Sequence, residues 1–482
     1  MNLITEPQKQ IPVAFDVDVL VCGAGVSGVF AALAAARHGA RTLLVDRFAS
    51  PGGNVGPGMI AGGSFSGWNI PHMLHGPFFG LPKQFVERHA AMGGGAVPPH
   101  SRNHYLRDSN VASYVLLKML EEEGVKLMLS TYVCDPIVDR NAVCGLFMES
   151  KSGRQAAKAH VVVDATGEAD VARRAGAPII YPDAEYHKSD LHSPTGTGIW
   201  YVIAKVDWDA YDAFRKACPD PDSECQRWGQ EIFGPMPPHH LLALFKTAAD
   251  NGDLCTVLDI EGVGKVAHHR DLDVLSRSEG LACRMLNFKT PWIDASTRKN
   301  LNAADGAQLS QIEAKLRMFI FEFARFFRLY VPGFEQSYLA QVAPYMGSRG
   351  GPCIDGEYTV TLKDHQEGRR FPDVLYIHDH VGDLKNAAYT AQWTDFPYRA
   401  MVPKKIDGLL AVGRNASCRP DTVLRGRTMV MHMGEAAGIA AALCATDRTP
   451  PRNLNVRRLQ AALFDQGYYL GDRTRLKELG LF

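Results

Sequence analysis

Four residues near the start of the chain have the types and spacing for nucleotide chemistry. They are Gly23, Gly25 and Gly28, in Gly-x-Gly-x-x-Gly order, and Asp46, 23 positions after the first glycine. Gly23 permits a tight turn, Gly25 lets backbone approach a phosphate pair, and Gly28 lets a helix lie close against a sheet. Val26, Ser27 and Gly28 would then present N–H groups at a helix start, where the dipole favours negative charge. A carboxylate at Asp46 can accept hydrogen bonds from sugar hydroxyls. The alternative is a glycine turn with no ligand. Candidates for proton and charge chemistry come later. Arg349 lies in the glycine turn Gly347-Ser348-Arg349-Gly350-Gly351, where a guanidinium could clamp a carboxylate. His378 and His380 share one face of an expected strand, and histidine titrates near working pH. Tyr398 and Arg399 follow in Phe396-Pro397-Tyr398-Arg399. The competing reading of Arg349 is a structural ion-pair partner.

The elements that must position these residues are legible from pattern. An apolar run over 17–21, broken only by Asp18, reads as a buried strand, the alanine-rich 29–37 as a helix, and 42–45 as a second strand, so the glycines sit in a full strand–turn–helix–strand unit closed by Asp46. The glycine-rich 47–63 reads as a loop that approaches a flat or charged ligand. Residues 108–123 have helical periodicity, and 125–129, 132–139 and 143–149 read as short strands. Residues 161–163 run as a strand into Asp164-Ala165-Thr166-Gly167, a second glycine turn at a strand's carboxyl end, with a helix over 169–175. Residues 196–203 read as a strand and 302–329 as a long helix whose phenylalanines are core. Strands are expected at 358–362, 374–380 and 409–412, then an alanine- and glycine-rich helix over 428–445, and a helix at 456–465.

Composition narrows the class. The chain has 482 residues, 46% hydrophobic and 22% charged, with Lys+Arg and Asp+Glu equal at 52 each. That balance gives no basic face for nucleic acid and no acidic tail. The first residues lack a signal-peptide core, and no run of apolar residues is expected to span a membrane. Ten cysteines are scattered without a CxxC pair, which argues against zinc ribbons and iron–sulfur clusters and for reduced thiols in the cytoplasm. No metal site is expected. His72 and His75 are three apart, but Pro71 and Pro77 disfavour a helix there, and the adjacent pairs His239-His240 and His268-His269 would point apart.

Four stretches together resemble a known family: VCGAGVSGVFAALAAARHGARTLLVDRFASPGGN, VVVDATGEADVARRAGAP, MGSRGGPCIDGEYTVT and PYRAMVPKKIDGLLAVGRNASCRPDTVLRGRTMVMHMGEAAGIAAAL. They look like the bacterial FAD-dependent oxidoreductases of the two-dinucleotide-binding-domain type, in the group that includes xanthan lyase-like and CobZ-like proteins. The resemblance implies an α/β fold: a Rossmann-like FAD-binding domain with a parallel sheet and added antiparallel strands, assembled from both chain ends. The expected parts are 14–180 and 341–448 for that domain, 181–340 for an inserted mixed α+β substrate or cap domain, and 449–482 for a tail. It implies FAD held by Gly23, Gly25, Val26, Ser27 and Gly28, with Asp46 at the adenosine ribose and Arg47 among the cofactor-binding residues. Gly52, Gly53 and Asn54 would pass beside the pyrophosphate, and Val133 would meet the adenine edge. Ala165, Thr166 and Gly167 would lie beside the adenosine half, and Gly413 before the last contacts. A helix start at Gly434, Ala436 and Ala437 would face the flavin pyrimidine ring. The implied reaction is hydride transfer between a small-molecule substrate and the flavin, with His380, Arg349, His378 and Tyr398 as candidate catalytic groups. Flavin-dependent monooxygenation and electron transfer without substrate chemistry are the alternatives. The electron acceptor or donor stays open, no second glycine fingerprint marks a dedicated NAD(P)H domain, and a homo-oligomer is expected for an enzyme of this size.

Overall fold

The ten-residue strand Val13–Cys22 is the axis of a seven-stranded sheet. In spatial order the strands are Lys126–Met128, Thr42–Val45, Val13–Cys22, Gly153–Asp164, Ala142–Ser150 and Tyr132–Asp139, and Leu409–Ala411 joins the end of Gly153–Asp164. The first four run parallel, as does Leu409–Ala411; the pairs formed by Ala142–Ser150 are antiparallel. The computed structural model describes residues 3–58, 64–66, 79–96, 103–106, 108–181, 197–233, 239–260, 264–267, 276–278, 281–288, 304–348, 351–378, 394–419 and 426–482.

Register decides where the site forms. Cys22 pairs with Asp164, and Asp164 with Ala411, so three parallel strands end level. The turns that follow, at Gly23, Ala165 and Val412, therefore open side by side at the carboxyl edge of the sheet, where open α/β sheets take their ligands. Both faces of the sheet are covered. Val19, Val21, Val161 and Val163 face one core, and Leu20, Cys22 and Val162 face the other. A strand buried on both faces is apolar at every position, as 19–22 is, and Asp18, which breaks the run before it, is half-buried and pairs with Arg41.

The first core is built on two helices, Val26–Arg37 and Arg427–Asp447. Their contact needs small residues. A Cβ on Gly434 would lie 2.1 Å from the Ser27 carbonyl oxygen, and one on Gly438 would lie 2.2 Å from that of Ala31. The second helix is 21 residues long and, by length and composition, apolar enough to cross a membrane, which corrects the expectation that no segment is; 89% of its most apolar window is buried in the fold.

The middle of the chain has a separate core. Strand Thr197–Ala204 pairs antiparallel with Leu281–Phe288 and with Tyr338–Val342. The helix Gly306–Tyr330 packs Phe319, Phe323, Phe326 and Phe327 into that core, with Phe323 edge-on to Tyr201 and Phe245. Two local expectations change. The strand expected at 358–362 shrinks to Val360–Thr361, because Thr361 caps a short helix, Leu362–Glu367, through a capping box with Asp364. His239 and His240 do not point apart. They lie in the turn before the helix Leu242–Asp250, their rings stack at 4.5 Å, and the His240 ring pairs with the Tyr211 hydroxyl at 3.0 Å. His72, His75, His268 and His269 lie outside the described residues.

Candidate functional site

The glycine turn is built by close approach on two sides and openness on the third. Gly23 has φ +104°, and a Cβ there would lie 2.5 Å from the Ala165 carbonyl oxygen. A Cβ on Gly28 would lie 1.8 Å from the Gly23 carbonyl oxygen. Around Gly25 there is nothing within 4 Å of where a Cβ would stand. Gly25 is the N-cap of its helix, has no side chain to cap the first N–H groups, and is followed by no acid in the first turn. The result is an uncapped helix start at a positive dipole end with open space beside Gly25, the form of an anion site.

Asp46 closes the next strand. Its carboxylate accepts the Phe48 N–H at 2.7 Å and the Ala24 N–H, so it is tied to the glycine turn itself. Burial pushes its carboxyl above the usual carboxylate range, and the two N–H groups and Arg47 pull it back. Arg47 is exposed, with its guanidinium 4.7 Å from the centre of the Phe48 ring. The glycine loop then crosses the cradle. Gly52 donates its N–H to the Ala24 carbonyl at 2.8 Å, and a Cβ on Gly53 would lie 2.8 Å from the Gly25 Cα. Asn54 follows in the short turn Gly53–Val55.

The second and third turns form the far wall. Ala165 abuts Gly23 and Gly28 and donates its N–H to the Cys22 carbonyl at 2.8 Å. Thr166 donates its hydroxyl to Asp164 at 2.7 Å and accepts the Asp170 N–H at 2.9 Å. Asp164 is fully buried; burial pushes its carboxyl up to about 6, against the Ala172 and Thr166 groups that bond it. The Asn415 amide reaches it at 2.8 Å, while the Asn415 oxygen accepts the Ala169 N–H at 2.9 Å. Asp164 thus fastens the second turn to the third. Gly167, at φ +97°, lies against the Arg414 guanidinium, which pairs with Glu168, and Gly413, at φ +69°, sits against the Ser27 hydroxyl. Arg414, which follows the expected strand over 409–412, and Asn415 were given no site role in sequence; their signal is the Gly-Arg-Asn of the short turn Gly413–Asn415. Val133 is two residues past Thr131, whose N–H bonds the Asp46 carbonyl at 2.9 Å, and its own carbonyl accepts Arg174 at 2.9 Å.

Other expected site residues fall elsewhere. The helix expected over 428–445 runs from Arg427 to Asp447, so Gly434, Ala436 and Ala437, expected at a helix start, lie in its interior, packed in the core, and cannot offer free N–H groups. The helix start belongs to Gly426, Arg427 and Thr428. Gly426 gives no side-chain cap, no acid stands in the first turn, and the buried Thr428 hydroxyl has no hydrogen-bond partner among the described residues. Tyr398 is buried and donates its hydroxyl to the Pro451 carbonyl at 2.9 Å, and burial drives its phenol far above the ordinary value. A phenol so committed is a packing group, not an acid. His378 ends the strand Val374–His378, fully buried, with its ring edge-on to His365 at 4.7 Å. Arg399 pairs with Asp373 at 2.9 Å. His380 and Arg349 lie outside the described residues.

A family model described as FAD dependent oxidoreductase matches residues 18–463, and the chain belongs to that family. It is an FAD enzyme. Comparison with curated proteins finds no match. Among solved structures, the chain is similar to a geranylgeranyl bacteriochlorophyll reductase-like protein from Thermoplasma acidophilum, at 13% identity and a TM-score of 0.42, over 97% of this chain and 86% of that one. It is also similar to p-nitrophenol 4-monooxygenase PnpA from Pseudomonas putida DLL-E4, at 11% identity and a TM-score of 0.42, over 97% and 93%. The residues present fit the cofactor. The uncapped helix start and the open space at Gly25 suit a pyrophosphate, and the desolvated Asp46, already bonded by N–H groups, suits sugar hydroxyls.

Proposed function

We propose that this enzyme passes a hydride between a small organic substrate and FAD held in the cradle of Gly23, Gly25, Gly28 and Asp46. The bound cofactor supplies the redox chemistry; the protein supplies binding, orientation and proton handling. The observation that carries the reading is the single glycine fingerprint, complete with strand, helix, strand and acid, in a chain with no second one. A chain with one dinucleotide cradle and a separate middle core draws its electrons from, or gives them to, a molecule that enters beside the cofactor.

In this reading Ser27 and the Val26 and Gly28 N–H groups hold the pyrophosphate, and Asp46 orients the ribose. Gly52 and Gly53 cover that end and exclude water. His380 takes or gives the substrate proton and Arg349 holds a substrate carboxylate. The substrate is a CH–OH, CH–CH or CH–NH compound. The test is anaerobic: purified enzyme mixed with panels of alcohols, hydroxy acids and amines, followed by flavin absorbance. Bleaching by one class without added nicotinamide supports the proposal. Bleaching by NADPH alone, with oxygen consumed once substrate and air are admitted, overturns it in favour of monooxygenation. In either assay, His380→Ala separates a proton-transfer role from a packing role by flattening the pH–rate profile.

A further inference from the structure

Tyr345 was not among the candidate residues, yet it reaches the cofactor end of the molecule from the middle segment. Its ring stacks on Phe48 with centroids 4.1 Å apart and planes within 18° of parallel. Phe48 is the residue whose N–H binds Asp46, and its ring also carries the Arg47 guanidinium at 4.7 Å. The Tyr345 hydroxyl meets the glycine loop. A Cβ on Gly58 would lie 2.9 Å from it, so the hydroxyl stands against that glycine. Burial pushes the phenol well above its ordinary value, with the nearby Asp46 carboxylate adding to the shift, so it stays a neutral hydroxyl.

Both ends of this contact are anchored. Gly58 donates its N–H to the Gly53 carbonyl at 2.8 Å, and Gly53 is the residue that rests on Gly25. On the other side, Tyr345 lies three residues past the strand Tyr338–Val342. Its neighbour Ala343 donates its N–H to the Trp200 carbonyl at 2.8 Å, and Met346 donates its N–H to Glu313 on the helix Gly306–Tyr330. A path of contacts thus runs from the middle core through Tyr345 to the loop over the cradle and to the acid beside it.

We propose that Tyr345 is a positioning residue for the adenosine half of the cofactor: it holds Phe48 and the Gly58 end of the loop in place, so that Asp46 and Gly53 meet the ribose and pyrophosphate already ordered. The inference rests on the FAD cradle described above. Preorganised contacts raise affinity because the loop's ordering cost is met before binding. The loss of a stacked ring and a hydroxyl contact corresponds to about tenfold in affinity.

The test uses the full-length protein, freed of flavin and titrated with FAD, with ADP as a probe of the adenosine half and with riboflavin as a probe of the other half. Tyr345→Ala is expected to weaken FAD and ADP about tenfold and leave riboflavin unchanged. Tyr345→Phe, which keeps the ring, should recover most of the loss. Equal weakening of all three ligands, or wild-type affinity for FAD and ADP in a Tyr345→Ala protein with an unchanged melting temperature, overturns the inference. If Tyr345→Ala does not fold, Tyr345→Phe decides by amide exchange: faster exchange at residues 52–58 supports the strap, and unchanged exchange together with unchanged ADP affinity rejects it. Wild-type protein that binds neither FAD nor ADP would instead refute the cradle itself.

Discussion

Asp46 and Tyr398 show how burial sorts polar residues into roles. Asp46 keeps its carboxylate beside the glycine turn, bonded by two N–H groups that leave oxygen lone pairs for a sugar. Asp46→Ala is expected to cost about tenfold to a hundredfold in FAD affinity, measured by flavin fluorescence titration, because hydrogen bonds to a charged group are among the strong ones. Tyr398 has spent its hydroxyl on Pro451, so Tyr398→Phe should lower stability by about 1 kcal/mol in urea unfolding and leave turnover unchanged. A large loss of turnover in that variant would restore it to the catalytic set. The first glycine unit was legible because each of its glycines answers a local demand that no other residue meets, and because the acid follows at a fixed distance. Tyr345 was not legible, since its partners Phe48 and Gly58 lie almost 300 positions away and nothing in its own neighbourhood marks them.

Among the elements, the helix Arg427–Asp447 shows how one residue type can answer two different demands. Gly434 and Gly438 look like a helix start in sequence. Their reason is instead the closeness of the glycine-turn helix, whose Ser27 and Ala31 carbonyls leave no room for a Cβ. A long-range packing demand and a local turn demand give the same glycines, and only the tertiary partner separates them. Gly438→Val should destabilise the protein by about 1–3 kcal/mol or more, read from urea unfolding, through overpacking of that contact. Next to Gly434 the same helix bears a buried acid. Glu435 accepts the Tyr468 hydroxyl at 2.7 Å and the Leu81 N–H at 3.1 Å, with Arg37 the charge that favours its ionised form. Burial pushes its carboxyl from 4.5 up to about 7. The folded state therefore binds this proton more tightly than the unfolded state. The stabilisation is full below pH 4.5, falls between pH 4.5 and about 7, and is absent above, a total of ~3 kcal/mol. Glu435→Gln should flatten that part of the stability–pH profile in unfolding experiments at pH 5 and pH 8. An unchanged slope would show that the carboxyl titrates as it does in water.

Taken as a whole, the molecule places its chemistry where three parallel strands end level. The register that pairs Cys22 with Asp164 and Asp164 with Ala411 brings Gly23, Ala165 and Gly413 together from three distant parts of the chain. The middle core stands apart from the sheet's two cores but sends Tyr345 to the same edge. Sequence pattern could mark the strands and turns, because apolar runs and glycines are local signals. It could not mark which turns meet, because that depends on register across the sheet. The most direct test of the cradle uses Gly25, whose backbone is extended and whose Cβ would meet nothing within 4 Å. Gly25→Val should therefore fold and melt as the wild type does, while its side chain fills the space that a pyrophosphate needs. Titration of the flavin-free proteins with FAD is predicted to show tight binding by the wild type and a loss of about a hundredfold or more in the variant, at unchanged melting temperature of the two apo forms. Wild-type FAD affinity in Gly25→Val would contradict the account and move the cofactor away from the glycine turn.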